Sequence, residues 1–117
     1  MPKPKHWDRA DNVRKRSQRQ EKRLGRELGL RLHPNSGATV FDKSDASDEV
    51  FRFEMKTTQA KRVPVSQTEL AKIWREAVAT GLYPAVVVTL ESMPAPIPQD
   101  WVLIEKTTFE ALRGEEK

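Results

Sequence analysis

The most regular pattern in this chain is an alternation of apolar and charged side chains within residues 50–57. Three apolar side chains alternate there with three charged ones: Phe51, Phe53 and Met55 with Arg52, Glu54 and Lys56. Because successive side chains of a strand point to opposite faces of a sheet, this period of two predicts a β-strand with one buried face. Residues 83–90 form a second run, rich in β-branched residues, which predicts a central strand covered on both faces.

Residues at helical spacing predict three helices. The first extends from about Asp8 and ends near Gly29, before the loop-forming residues 33–37. The segment Ser66-Gln67-Thr68-Glu69 has the form of a capping box, and it introduces a helix over residues 67–80. The same spacing in residues 107–110 introduces a short C-terminal helix.

Three short segments, residues 38–41, 63–65 and 101–105, are expected to be extended. The Asp- and Ser-rich residues 42–49 predict a turn that joins the first of these to the alternating strand. The resulting order of elements is α-β-β-β-α-β-β-α, which is an α/β arrangement. At 117 residues the chain fits one domain, which we expect to span residues 9–117 after a flexible basic arm of residues 1–8.

Composition excludes several classes of site. The chain has no Cys, which rules out disulfides and thiolate metal sites and is typical of an intracellular protein. No apolar run approaches the roughly 20 residues of a membrane span, and the N-terminus lacks the apolar stretch of a signal peptide. We therefore expect a soluble, cytoplasmic protein.

Positive charge is concentrated towards the N-terminus. Residues 1–33 hold eleven Lys and Arg against four acids, a net charge of +7, whereas the whole chain carries +4. A basic segment on a mildly acidic body predicts a polyanionic partner, most commonly nucleic acid, with a solvated helix face as the alternative. The candidate phosphate contacts are Arg14, Lys15, Arg16, Arg19, Lys22, Arg23, Lys61 and Arg62.

Glu54 and Lys56 lie two residues apart, so they project from the same face of the predicted strand while Met55 points into the core. A carboxylate beside an ammonium suits phosphodiester hydrolysis, because Mg²⁺ binds hard oxygen ligands and a neighbouring Lys can orient or deprotonate the attacking water. The Met55 carbonyl could supply one more oxygen. The alternative is a surface ion pair, since the Glu-x-Lys spacing is common.

A second carboxylate is expected from the turn, where Asp42, Asp45 and Asp48 compete. Asp45 stands nine residues before Glu54, and a hairpin that folds back over this distance could bring the two together. Asp48 occupies the expected reversal, and Asp42 would pair further along the ladder. The spacing therefore favours Asp45 and leaves the other two open, with ordinary turn residues as the alternative.

These features together resemble the PD-(D/E)XK nuclease superfamily over residues 13–113. The segments that carry the resemblance are Ser36-Gly37-Ala38, Lys43-Ser44-Asp45, Phe53-Glu54-Met55-Lys56-Thr57-Thr58, the capped helix and the buried strand. Within the superfamily, the sequence is most similar to archaeal-type and bacteriophage Holliday-junction resolvase-like endonucleases. Ser44 is a departure, because it stands where the superfamily's name has Pro. The resemblance implies a restriction-endonuclease-like core with a central mixed β-sheet flanked by helices.

The resemblance also implies roles for individual residues. Asp45, Glu54 and Lys56 match the catalytic motif, Glu21 matches a Glu of the first helix, and Ser36 and Gly37 match a loop near DNA. Asp45, Glu54, Glu21 and the Met55 carbonyl would bind Mg²⁺ or Mn²⁺. The expected protein is a homodimeric endonuclease that cuts branched DNA such as four-way junctions. The alternatives are a nicking, replication-associated or restriction-like nuclease of the superfamily, and a DNA-binding module without catalysis.

Overall fold

The structure, a computed structural model, describes residues 5–33 and 44–114, and the side chains from residue 13 onward within them. The first helix, α1, spans Lys5–Leu28. It ends where the sequence predicts, because Gly29 adopts a positive φ of 68° and the Leu30 amide donates to the Gly25 carbonyl at 2.8 Å. It begins earlier than predicted, because residues 5–8 contain neither Gly nor Pro to stop a helix. Residues 5–8 thus belong to α1 rather than to the predicted flexible arm.

Five strands form one sheet: β1 Arg31–Leu32, β2 Ala46–Ser47, β3 Phe51–Thr58, β4 Tyr83–Leu90 and β5 Asp100–Ile104. They lie side by side in chain order, with β3 parallel to β4 and the other neighbours antiparallel. Two further helices are α2, Gln67–Ala79, and α3, Lys106–Leu112. The prediction of an α/β fold with a mixed sheet is confirmed, and the order of elements broadly agrees with the predicted one.

Two of the short strands differ from those predicted. Residues 38–41 lie outside the described residues, and residues 63–65 belong to no strand. Pro64 has no amide to donate to a ladder, and Val63 packs instead beside the buried Ile73 of α2. β2 falls inside the stretch predicted as a turn, where its two residues pair with Phe53 and Arg52.

Two helices cover opposite faces of the sheet. On one face, Leu24 of α1 shares a buried cluster with Ala46, Phe53, Ala85 and Val87. On the other face, Ile73 of α2 shares a cluster with Val86 and Val88. β4 is therefore buried on both faces, as predicted. The charged face of β3 is largely covered too, because Glu54 and Lys56 pair with residues of α2.

The helix ends follow the capping rules with one change. At the start of α2, Ser66 Oγ accepts from the Glu69 amide at 3.1 Å and Glu69 accepts from the Ser66 amide at 3.2 Å, which confirms the capping box. At α3 the N-cap is Glu105 rather than Thr107, because the Glu105 carboxylate accepts from the Thr108 amide at 3.1 Å. In the part of the chain that the structure describes, no helix is long and apolar enough to cross a membrane.

A half-buried network of hydrogen bonds holds α1 against β5 at the end of the sheet. Two nitrogens of the Arg23 guanidinium donate to the two carboxylate oxygens of Asp100, at 3.0 and 2.7 Å. The buried Thr89 hydroxyl donates to the same carboxylate at 2.7 Å. The Arg23 hydrogen bond is the main reason that the pKa of Asp100 lies below its ordinary value. This bidentate pair joins α1 to β5 and so holds the helix that carries Glu21.

Candidate active site

The β2–β3 hairpin brings Asp45 opposite Glu54. Its turn is fixed by Asp48, whose Oδ1 accepts hydrogen bonds from the amides of Val50 at 2.8 Å and Phe51 at 2.7 Å. Ala46 pairs with Phe53, so Asp45, the residue before β2, comes next to Glu54, and its charge raises the pKa of that carboxyl. Asp48 is thus a turn residue, while Asp42 lies outside the described residues.

Asp45 also contacts β3 through its side chain. Its Oδ2 accepts a hydrogen bond from the backbone amide of Met55 at 2.7 Å. Because the amide and carbonyl of one strand residue point to the same side, the Met55 carbonyl is also directed towards this edge of β3. The carboxylate of Asp45 and the carbonyl of Met55 therefore lie at the same edge, where both can offer oxygen to a cation.

Glu54 has the most perturbed carboxylate of the site. Its side chain is 19 % exposed. Burial, followed by the negative charge of Asp45, raises the pKa of Glu54 from 4.5 to about 7, and Glu76 adds to the rise while Lys72 opposes it. A carboxyl with this pKa exchanges its proton near neutral pH, which is typical of functional sites and also of buried ion-pair networks.

Glu21 approaches the same group from α1. Burial raises the pKa of its carboxyl above the ordinary value, and the charge of Asp45 raises it further. The electrostatic coupling means that Asp45 lies near both Glu21 and Glu54. Asp45 is thus coupled to each of the other two carboxylates that the resemblance implies, Glu21 of α1 and Glu54 of β3.

Lys56 lies on the same face as Glu54, as predicted, but its ammonium is held away from the carboxylates. It donates to the carbonyl of Pro64 at 2.5 Å and to the carboxylate of Glu69. Glu69 is the residue that completes the capping box of α2. Lys56 therefore joins β3 to the start of α2, which differs from the predicted position beside the metal ligands.

His33 holds the short segment that carries Asp45 in place. Its backbone amide donates to the Asp45 carbonyl at 2.9 Å, and its ring Nδ1 lies 2.7 Å from the carbonyl of Ser44. A carbonyl can only accept, so Nδ1 carries the hydrogen, and Nε2 lies 2.9 Å from the hydroxyl of Ser47. One imidazole thus holds the residues on either side of Asp45. Sequence reasoning assigned His33 no role, because this contact depends on how β1 and β2 pair.

The predicted phosphate contacts fall into three groups. Those whose side chains are exposed are Arg14, Lys15, Arg19, Lys22, Lys61 and Arg62. Two are engaged with acids: Arg23 with Asp100, and Arg16 with Glu91 at 3.5 Å. Ser36, with Gly37, lies outside the described residues. The contacts of Arg23 give it a structural role in place of the predicted phosphate contact.

Two residues of α2 that sequence reasoning did not single out face Glu54. The ammonium of Lys72 lies 3.7 Å from Glu54 Oε1, and Glu76 lies near enough for its charge to raise the pKa of Glu54. Together with Glu69 they follow the spacing i, i+3, i+7, so they form one charged stripe beside the buried Ile73. A charged stripe beside the apolar stripe of a sheet-packing helix is the signal that could have identified them.

The oxygen donors at this edge fit the implied divalent cation. Among the described side chains, those of residues 13–33 and 44–114, no group of three or more His, Asp or Glu is arranged to hold a metal by itself. Mg²⁺ commonly needs only one or two carboxylates, with water and substrate phosphate completing its shell. Asp45, Glu54 and the Met55 carbonyl match that donor set. Glu54 Oε1 is buried and accepts no hydrogen bond from the described residues, so it is an oxygen that a cation would satisfy.

Comparison with known proteins adds no relative. No protein-family model matches this chain, and no curated protein matches it.

Proposed function

We propose that this protein is a metal-dependent, structure-selective endodeoxyribonuclease that hydrolyses phosphodiester bonds in branched DNA, as a Holliday junction resolvase does. The observation that carries the proposal is the register of β2 on β3, which aligns Asp45 with Glu54 and directs the Met55 amide to Asp45. Hard oxygen donors along the β2 side of β3, on a chain with a basic N-terminal helix, suit the cleavage of a polyanionic ester.

Each residue of the site has a role in this proposal. Asp45, Glu54 and the Met55 carbonyl hold the cation, and Glu21 completes the acidic wall on the α1 side. Bound Mg²⁺ or Mn²⁺ would supply Lewis acidity and charge neutralisation at the scissile phosphate. Glu54, whose pKa is about 7, gives up its proton near neutral pH and so becomes a ligand where the reaction would take place.

The exposed basic side chains of α1 would position the DNA. Arg14, Lys15, Arg19 and Lys22 are solvent-exposed on the helix that also carries Glu21. Contacts of this kind bind phosphates without reading bases, so they suit recognition of the shape of a junction rather than its sequence. Lys61 and Arg62, in the segment after β3, would extend this basic surface.

A cleavage assay on defined substrates tests the proposal. The wild-type protein is mixed with a synthetic four-way junction, a flap and a linear duplex, each with Mg²⁺, Ca²⁺ or EDTA. We expect cutting in Mg²⁺ and none in EDTA, with the junction cut at least about tenfold faster than the duplex, which corresponds to about 1.4 kcal/mol. Equal cutting of all three would indicate a nuclease of another preference. DNA binding without cutting in any metal would indicate a DNA-binding module.

We also propose that the protein acts as a homodimer, which would suit paired cuts in two strands of a junction. A groove of about 630 Å³ lies between α2 and the β4–β5 strands, lined mostly by apolar side chains such as Leu70 and Leu103. On the same side, Trp74 and Trp101 are each 51 % exposed. Exposed apolar side chains gathered along a groove are the kind of surface that a second subunit can cover. Light scattering at assay concentration tests the dimer, and a species of 13.4 kDa would rule it out.

A further inference from the structure

Two lysines lie on the α2 side of β3, and their surroundings differ. The Lys56 ammonium donates to the Pro64 carbonyl and to the Glu69 carboxylate, so two of its three hydrogens are used within the protein. Its side chain is 17 % exposed. A lysine held in this way connects two elements of the fold and has little freedom to reach a substrate.

The Lys72 ammonium is less constrained by contacts within the protein than the Lys56 ammonium. It lies 3.7 Å from Glu54 Oε1, which is close enough for attraction and too long for a hydrogen bond. Among the described residues no other acceptor is paired with it, and its side chain is 32 % exposed. Its hydrogens are therefore available to an anion that approaches the carboxylates from solvent.

We propose that Lys72, rather than Lys56, is the lysine that contacts the scissile phosphate in this site, an inference that rests on the proposed nuclease function. The site needs such a cation, because Glu21, Asp45 and Glu54 together repel a phosphate diester. An ammonium beside Glu54 offsets part of that charge and provides donors to a phosphate oxygen. Lys72 is thereby a catalytic residue contributed by α2, and Lys56 is a structural residue that fixes where α2 begins.

The position of Lys72 on α2 follows from the packing of that helix. Ile73, the next residue, is buried against β4, which directs the neighbouring positions of the helix along the flank of β3. Lys56 pairs with Glu69 and Glu54 pairs with Lys72, so successive turns of α2 meet successive charged residues of β3 with opposite sign. This antiparallel ladder of charges brings Lys72 to the same rung as Glu54.

Three substitutions separate the roles of the two lysines. Lys72→Met removes the charge, Lys72→Arg keeps it, and Lys56→Met removes the contact to the capping box of α2. Arg75→Met is the matched control, because Arg75 is an exposed cation on the same helix. Each variant is measured for its single-turnover rate on a saturating junction in Mg²⁺, its junction affinity in Ca²⁺ and its midpoint of thermal unfolding.

We expect Lys72→Met to lower the single-turnover rate by about 10²-fold, the usual cost of losing a donor to a reacting oxyanion, with little change in the thermal midpoint. Lys72→Arg should recover a large part of that rate, and Lys72→Met should bind the junction more weakly in Ca²⁺. Lys56→Met should lower the thermal midpoint more than Lys72→Met does, with a smaller loss of rate in the folded protein. Arg75→Met should behave like the wild type.

The inference is overturned if Lys72→Met cuts and binds the junction as the wild type does, or if its loss of rate merely follows a loss of folded protein. It is also overturned if Lys56→Met loses the rate while remaining fully folded and Lys72→Met does not. A wild-type protein that cuts no DNA in any metal would instead overturn the proposed function and this inference with it. The wild-type measurement therefore distinguishes a failure of the proposed function from a failure of the inference about Lys72.

Discussion

The amide of Met55 donates a hydrogen bond to Oδ2 of Asp45 at 2.7 Å, one residue before β2 begins. This contact fixes the carboxylate against β3 although β2 itself contains only two residues. Asp45 therefore has two separable roles. Its carboxylate accepts a hydrogen bond that stabilises the hairpin, and its negative charge raises the pKa of Glu21 and Glu54.

Substitution of Asp45 should separate those two properties. Asp45→Asn retains an oxygen acceptor for the Met55 amide, whereas Asp45→Ala leaves that amide without its acceptor. We expect Asp45→Ala to lose about 1–2 kcal/mol of unfolding free energy relative to Asp45→Asn, the usual cost of an unsatisfied group. Urea denaturation without metal measures the difference. Equal stability of the two variants would show that the hydrogen bond does not support the hairpin.

The pKa of Glu54 predicts a pH-dependent stability of the metal-free protein. This pKa is raised from 4.5 to about 7, so the folded state binds the proton more tightly than the unfolded chain does. The stabilisation is complete below the unfolded pKa and is lost as the pH rises through 7. We expect the unfolding free energy to fall by about 3 to 4 kcal/mol from this group across that range, at about 1.4 kcal/mol for each pH unit between 4.5 and about 7.

The matched control for this prediction is Glu54→Gln, which cannot ionise. We expect it to flatten the pH dependence of the urea-denaturation midpoint, whereas Glu49→Gln, at an exposed position, should leave the dependence intact. Mg²⁺ should restore stability most strongly above pH 7, where Glu54 is already ionised. A wild-type curve with the same slope as that of Glu54→Gln would contradict the burial of this carboxyl.

The imidazole of His33 should affect the site indirectly, through the backbone segment that carries Asp45. Its ring contacts the Ser44 carbonyl and the Ser47 hydroxyl, on either side of Asp45. We expect His33→Ala to raise the Mg²⁺ concentration needed for half-maximal cleavage by about tenfold or more, because loss of a residue that supports a metal ligand lowers metal affinity by about that factor. A titration of the rate against Mg²⁺ measures this, with Lys106→Ala in exposed α3 as the control. An unchanged Mg²⁺ midpoint would show that Asp45 is positioned without the imidazole.

Arg23 and Arg19 lie on the same helix and should behave differently. Arg23 forms a bidentate pair with Asp100, so Arg23→Lys should lower the unfolding free energy by about 1–2 kcal/mol, because lysine cannot reproduce that geometry. Arg19 is exposed, so Arg19→Ala should leave the unfolding free energy unchanged. It should also make the slope of the logarithm of the DNA-binding constant against the logarithm of salt concentration shallower, by the amount expected for about one phosphate contact. An Arg23→Lys variant as stable as the wild type would show that the bidentate pair with Asp100 does not hold α1 in place.

The sequence was informative where structure depends on local pattern. β4, α2 and its capping box follow from β-branched runs, helical spacing and the Ser66–Glu69 motif, and the alignment of Asp45 with Glu54 follows from hairpin geometry. β2 was not predictable, because its two polar-flanked residues are extended only through pairing with β1 and β3.

Contacts between segments that are distant in the sequence could not be predicted from it either. Arg23 meets Asp100 across 77 positions, and the partners of Lys56 and Lys72 depend on how α2 lies along β3. No local pattern encodes the direction in which a helix crosses a sheet. The proximity of Asp45 and Glu54 could therefore be inferred from the sequence, whereas the partners of Lys56 and Lys72 on α2 and β3 could not.

Single-turnover cleavage of a synthetic four-way junction, by the wild type, Asp45→Asn and Glu54→Gln at saturating Mg²⁺, tests the central claim most directly. Both variants remove one negative charge and keep the shape of the side chain, so thermal unfolding should confirm that both are folded. We expect the wild type to cut and each variant to be slower by about 10²-fold or more, as expected when a group that stabilises the transition state is lost. Folded variants that cut the junction at the wild-type rate would contradict the assignment of these carboxylates as the active site.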